Sequence, residues 1–219
     1  MLKLHGFAVS NYFNMVHLAL LEKGVKFEIV TFYPDGSPEF LAHSPRGKVP
    51  FLQTEHGYIN ETSAILDYLE ESQGGRALLP AEQFARAHVR TLMKEIELYI
   101  ELPARLCYGE AFFGGTVPEA IRAKAEVELR AGFAALKRHA RFAPYVAGDS
   151  FTLADIYFLY SVGLAAQVAQ KLFQFDPLED MPRARALLQQ LAENPNVQQI
   201  AAERERATPA FIAYVQAKR

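Results

Sequence analysis

One cysteine, Cys107, is all the thiol this chain of 219 residues carries, so no internal disulfide can form, and a reducing compartment is expected. With no CxxC pair, dithiol redox chemistry is excluded as well. No stretch approaches the roughly 18 uninterrupted apolar residues of a membrane span. The opening Met1-Leu2-Lys3-Leu4-His5 lacks the basic region and long apolar run of an export signal, and the expected location is the cytoplasm. A net charge of −2 supplies no basic field for nucleic acid. The six histidines form no HxxxH or similar spacing, so no metal site is expected. Gly47-Lys48 lacks the earlier glycine and the following hydroxyl of a phosphate loop. What is present is ordinary globular material, 50% hydrophobic and 22% charged, enough for one small and one medium domain.

Two periodicities divide the chain. Leu2 and Leu4 alternate with Lys3 and His5 as in a half-buried strand ending at Gly6. Ser10 or Asn11 then precedes a helical pattern carrying Phe13, Val16 and Leu20, closed by Lys23-Gly24. Val25, Phe27 and Ile29 give a second strand, and βαβ spacing makes the pair parallel. Pro34, Gly36, Pro38 and Pro45 mark a loop around Phe40-Leu41-Ala42 with about two helical turns. Val49–Thr54 and Gly57–Ile59 read as an antiparallel hairpin, and a helix from Thr62 stops before Gly74-Gly75. A proline cannot donate to a sheet ladder, so Pro50 belongs at a strand start or edge and leaves neighbouring backbone groups for another partner, here expected to be a peptide ligand.

Beyond Leu78-Leu79-Pro80 only helical periodicity remains. Phe84 to Tyr108 reads as one long helix, bent near Pro103, with Gly114-Gly115 beyond it. Thr116 to Glu119 has capping-box spacing, and Thr152 to Asp155 repeats the device with Phe151 and Ile156 placed as a hydrophobic staple. Met181-Pro182 and Asn194-Pro195-Asn196 start two more helices. The expected fold is therefore α/β plus all-α: a βαβαββα domain over residues 1–76, a linker over 77–84, and an all-helical domain over 85–219.

Three motifs resemble those of the cytosolic glutathione transferases, most of all the bacterial and serine-type members. Ser44-Pro45-Arg46-Gly47-Lys48-Val49-Pro50 is similar to the family's loop into its cis-proline strand, within a thioredoxin-like sheet. Glu61-Thr62-Ser63-Ala64-Ile65-Leu66-Asp67-Tyr68-Leu69 resembles the acidic and hydroxyl pair opening its third helix. Gly148 to Ile156 is close to the cap and staple of its buried core helix. The resemblance covers nearly the whole chain. It implies a homodimer that binds glutathione as co-substrate, with no further cofactor, and presents its thiolate to a hydrophobic electrophile in detoxification. Val49 would pair with the extended tripeptide, as in strand addition at Pro50. Glu61 would meet the γ-glutamyl ammonium, Thr62 and the helix N-terminus its carboxylate, and Lys48 the glycyl carboxylate.

The same resemblance locates the chemistry near residue 10. The position of the family's catalytic tyrosine matches Gly6, so tyrosine catalysis is disfavoured, and the serine of other members matches Ser10. Asn11 and Tyr12 stay as alternative donors to sulfur, Ser10 has the simpler reading of a helix N-cap, and Asn14 stands where a basic residue is common. A free thiol of pKa about 8.5 is only a few per cent ionised at neutral pH, so the donor must favour the anion. Phe7, Val9, Tyr12, Tyr99 and Tyr108 are expected around the electrophile, although a cluster of Tyr99, Tyr108, Phe112 and Phe113 also suits a plain core. Asp155 reads as a buried cap and Cys107 as a core or pocket residue. A glutathione-dependent peroxidase or disulfide reductase, for which Asn11 matters, and a non-catalytic member binding ligands or proteins are the alternative functions.

Overall fold

Four short strands and the helices between them build the first part of the chain in a computed structural model, which describes residues 1–217. In order these are β1 (Leu2–Gly6), α1 (Asn11–Lys23), β2 (Phe27–Thr31), α2 (Pro38–His43), β3 (Phe51–Thr54), β4 (Gly57–Asn60) and α3 (Thr62–Ser72). The sheet order is β2-β1-β3-β4, with β1 and β2 parallel and the other pairs antiparallel. This is the βαβαββα order expected. Leu4 and Leu52, neighbours in register, are fully buried, as are Leu18 and Leu20 of α1 and Ile65 and Leu69 of α3. Each such side chain contributes about 1.5–3 kcal/mol through the water it sheds. On the opposite face, Phe40 of α2 meets Phe32 at 4.7 Å and Phe51 at 6.0 Å.

Two boundaries here differ from expectation. The strand expected from Val49 begins at Phe51, because Pro50 has no N–H and the ladder closes one residue later. The second strand runs over Phe27–Thr31 rather than from Val25, and Ile29 is 40% exposed because β2 is an edge strand.

From Leu79 to Ala192 the chain forms a separate compact unit, made of helices. It comprises α4 (Gln83–Ile96), a π-helical turn (Glu97–Glu101), α5 (Leu102–Arg105), α6 (Tyr108–Phe113), α7 (Glu119–His139), α8 (Leu153–Phe173) and α9 (Pro182–Ala192). The expected single helix from Phe84 to Tyr108 is thus broken. The wide turn immediately precedes Pro103, whose ring cannot fit the carbonyl one turn earlier in a regular helix. Helix α7 crosses at this point through Gly132, where an added Cβ would collide with the Tyr99 carbonyl oxygen.

The capping box expected at Thr116 does not form: α7 begins at Glu119, and no side chain caps it. The one at α8 does. Asp155 Oδ2 accepts from Thr152 N–H at 2.7 Å and its hydroxyl at 3.1 Å, while Oδ1 accepts from Val146 N–H at 2.8 Å. Burial pushes the Asp155 carboxyl up to about 6 in spite of these donors.

The last helix, α10 (Pro195–Ala217), groups with the sheet rather than with the helical unit, so the first unit comprises Met1–Leu78 and the chain from Glu193 on. The reason is a polar anchor. Glu22 at the end of α1 accepts from Asn194 Nδ2 at 2.7 Å and Asn196 Nδ2 at 2.9 Å, and pairs with Arg76 at 2.6 Å. Lys218 and Arg219, the end of the expected second domain, lie outside the described residues.

Candidate functional site

Sheet register brings three of the expected segments to one end of the first unit. His5 pairs with Phe51 and Phe51 with Asn60, so the end of β1, the entry to β3 and the end of β4 lie side by side. The segments leaving that edge are Phe7–Ser10, Val49-Pro50 and Glu61-Thr62. Among the described residues no helix is long and apolar enough to cross a membrane and no group of three or more metal-ligating side chains is assembled.

The first segment is a tight turn. Ser10 N–H donates to Phe7 C=O at 3.0 Å, and Ser10 then caps α1, its Oγ accepting from Phe13 N–H at 3.3 Å. The hydroxyl oxygen is used by the cap while its O–H remains a donor, so capping and donation to a ligand are compatible roles. Accepting the cap bond also polarises that O–H. There is no acidic residue in the first turn of α1 to offset the positive end of its dipole. Asn11 is buried and Tyr12 half-buried at the start of the same helix. Gly6 has φ +151°, and a Cβ there would lie 2.5 Å from Phe13 Cδ2, so no side chain fits at this position.

Asn14, which sequence reasoning noted only as a departure from a basic residue, has a structural role. It is buried, and its Nδ2 donates to Ala8 C=O at 2.9 Å, fastening the middle of the turn to α1.

The peptide bond between Val49 and Pro50 is cis, and Val49 precedes the ladder. Buried Ser44 fixes the approach: its Oγ accepts from Lys48 N–H at 3.0 Å and donates to Lys48 C=O at 2.7 Å. The ammonium of Lys48 stands on an exposed residue.

At the third segment Glu61 has φ +65°, a left-handed conformation that a non-glycine residue adopts at a cost of about 1–3 kcal/mol. It occupies the N-cap position of α3 without making a side-chain cap bond. Capping therefore does not account for a carboxylate there. Thr62 is buried at the first position of the helix.

Sequence reasoning missed the rings from α10. Phe7 stacks on Tyr33 at 5.1 Å and on Phe211 at 5.2 Å, and Tyr33 stacks on Tyr214 at 4.8 Å. Aromatic content near the C-terminus was the available signal, but nothing local ties residue 211 to residue 7.

Tyr99 and Tyr108, expected to meet an electrophile, belong to the second unit. Tyr99 is 47% exposed on the π-helical turn. Tyr108 donates its hydroxyl to fully buried Glu101 at 3.0 Å, and Arg105 both pairs with Glu101 at 2.6 Å and lies 5.1 Å from the Tyr108 ring centre. Cys107 is buried, which pushes its thiol up.

Residues 4–77 match the family described as glutathione S-transferase, N-terminal domain, and residues 119–190 the corresponding C-terminal domain. A glutathione S-transferase of Pseudomonas putida is 60% identical over 215 residues, covering 98% of both chains. Among solved structures, a bacterial maleyl pyruvate isomerase, a zeta-class glutathione S-transferase, is 30% identical with a TM-score of 0.71, over 90% of this chain and 95% of that one. Gtt2 from Saccharomyces cerevisiae shares the fold with a TM-score of 0.75 at 24% identity, covering 90% and 99%.

Proposed function

The chain belongs to the glutathione S-transferase family and is an enzyme of that kind, and from this premise we propose that it binds glutathione at the shared end of the sheet and ionises its thiol with Ser10. The observation that carries the reading is the convergence of Ser10 at the start of α1, Val49-Pro50 outside the ladder and strained Glu61 at the start of α3. Glutathione is an extended tripeptide with one ammonium, two carboxylates and a thiol. Glu61 meets the ammonium, Thr62 and the α3 N-terminus meet the γ-glutamyl carboxylate, the Val49 backbone pairs with the cysteinyl residue, and Lys48 meets the glycyl carboxylate.

Ser10 donates its O–H to the sulfur and takes no covalent part. Lowering a thiol pKa by about 2 units requires about 2.7 kcal/mol of preference for the anion. A hydrogen bond to a charged acceptor and the end of α1 are together of that size. The thiolate attacks a hydrophobic electrophile by addition or substitution, with Phe7, Val9 and Tyr12 on the first unit beside it. Reduced glutathione as a co-substrate fits a reducing compartment, which supports a cytoplasmic reaction.

We take the working form to be a homodimer. Leu98, Leu102 and Leu106 on the second unit are between 42% and 53% exposed, and this apolar surface is suited to a second copy. Light scattering that shows a monomer at micromolar concentration rejects this.

The test of the site is ultraviolet difference titration of bound glutathione. In wild type the thiolate signal rises near or below pH 7, and in Ser10→Ala it rises only toward the pH of the free thiol. An unchanged titration in Ser10→Ala together with loss in Asn11→Ala assigns the donor to Asn11 instead.

A further inference from the structure

The C-terminal end of α10 returns to the turn that carries Ser10. Four rings close a cycle there: Phe7 with Tyr33, Tyr33 with Tyr214, Tyr214 with Phe211 at 6.4 Å, and Phe211 with Phe7. Tyr214 adds a directional bond, donating its hydroxyl to Pro34 C=O at 2.6 Å. The contact therefore combines shape and hydrogen bonding, and it joins the loops after β1 and β2, the strands paired in parallel.

The rest of α10 is fastened separately. Val197 and Ile200 are buried, Asn194 and Asn196 bond to Glu22, and Glu203 lies 3.7 Å from His17. Beyond these the helix is mostly exposed, with Phe211 and Tyr214 half-buried. Pro209 lies between the two sets of anchors and cannot donate to the carbonyl one turn earlier, which weakens the helix at that point. Residues 209–217 form a short arm, held at its base by polar and apolar packing and at its tip by the ring cycle.

We propose that Phe211 and Tyr214 are positioning residues for thiol activation: they hold the Phe7 ring, and through the Phe7-to-Ser10 turn they fix the hydroxyl of Ser10 and the N-terminus of α1 on the glutathione sulfur. The link is short. Phe7 contributes both the clamped ring and the carbonyl that accepts from Ser10 N–H at 3.0 Å. Asn14 fastens the same turn at Ala8 from the side of α1, so release of the arm frees one of two fastenings and loosens the turn without dissolving it. Donation to a developing anion depends steeply on alignment, whereas binding through Lys48, Val49 and Glu61 does not involve this turn. The arm thus acts on ionisation and turnover more than on glutathione affinity. This inference rests on Ser10 or its neighbour being the thiol donor.

The experiment compares full-length wild type, Phe211→Ala/Tyr214→Ala, Phe211→Leu and Tyr214→Phe by difference titration of bound glutathione, by calorimetric glutathione affinity and by turnover of a chloronitrobenzene electrophile. The double variant is expected to ionise bound glutathione only at higher pH and to lose about tenfold in kcat at pH 6.5, with glutathione affinity within about twofold of wild type. Tyr214→Phe keeps its ring and retains most of the turnover. Phe211→Leu keeps apolar bulk without a ring, tests the same point if the double variant does not fold, and is expected to show the same rise in titration pH. Unchanged titration in a folded Phe211→Leu overturns the proposal, as does a parallel loss of affinity and thermal stability with no change in titration. Wild type that binds glutathione without ionising it refutes the functional reading itself, which is a separate result.

Discussion

The side-chain amide of Asn14 donates to the backbone carbonyl of Ala8 at 2.9 Å, and both lie within a few residues of Ser10. A buried bond from a helix to the loop that precedes it fixes the chain's entry into that helix. Removing the donor leaves the Ala8 carbonyl without this partner, a loss of about 1–3 kcal/mol. Asn14→Ala is expected to lower the urea midpoint correspondingly and to reduce turnover, because the Ser10 hydroxyl is no longer aligned. Asn14→Asp, which replaces the donor with an acceptor facing a carbonyl oxygen, is expected to be worse than Asn14→Ala at pH 8. The reverse order in urea unfolding rejects the donor role.

Glu61 combines a strained backbone with an exposed carboxylate. Glycine tolerates its φ of +65° and ψ of 121° better than glutamate does. Glu61→Gly is therefore expected to stabilise the fold by about 1 kcal/mol while weakening glutathione binding at least tenfold. Glu61→Gln separates the effects, since it keeps the strained backbone of a residue with a side chain yet lacks the charge that meets an ammonium, so only the affinity is expected to fall. A Glu61→Gly protein with unchanged stability and wild-type affinity contradicts both halves of this argument.

The order of the first six elements and the pairings β1–β2 and β3–β4 were readable because each element carries its own period and punctuation, whereas the antiparallel pairing of β1 with β3 has no local signal. Leu2 and Leu4 alternate in a strand, Ser10 and Gly24 bracket α1, and Pro50 stops a ladder. The failures have physical causes. Thr116 has a capping sequence, but the chain enters α7 through Pro118, whose own geometry starts the helix. The bend near Pro103 was legible, but its form, a π-helical turn at Glu97–Glu101 where Gly132 of α7 approaches closely, goes with a contact that has no local signature. The ring cycle of Phe7, Tyr33, Phe211 and Tyr214 is likewise a tertiary fact, invisible to patterns of a few residues.

Asp155 is the buried cap that its sequence position suggested. Its two oxygens take three donors from Val146 and Thr152. Asparagine keeps one acceptor and turns an N–H₂ toward one of these donors, so Asp155→Asn is expected to cost about 2–3 kcal/mol. Thr152→Ala removes the cap and one of the three donors to Asp155 and is expected to cost about 1–2 kcal/mol. Glutathione affinity of the folded fraction is expected to stay at the wild-type level in both. A folded Asp155→Asn of wild-type stability that has lost turnover reassigns the residue to chemistry.

The titrating groups predict a stability profile with two opposing slopes. His5, His17 and His88 are all held below the ordinary histidine value, in each case chiefly by burial. For His17 this prevails over the attraction of Glu203 at 3.7 Å. The unfolded chain then binds more protons than the folded one just below the ordinary histidine pKa, so stability present above about pH 6.5 is lost as the pH falls. Asp155 has the opposite sign. With its carboxyl pushed up to about 6, the folded chain binds more protons than the unfolded one between about pH 4 and 6, so its contribution is greatest at the acid end and is lost as the pH rises. Substitution separates the two contributions: removing His17 takes away part of the stability lost on acidification, and removing Asp155 takes away part of that lost as the pH rises. The urea midpoint of His17→Asn, which has one fewer buried imidazole to charge, is therefore expected to fall less than that of wild type, or rise more, between pH 7 and pH 5.5. A His17→Asn midpoint that follows the wild-type pH dependence over this range contradicts the burial of this histidine as a neutral group.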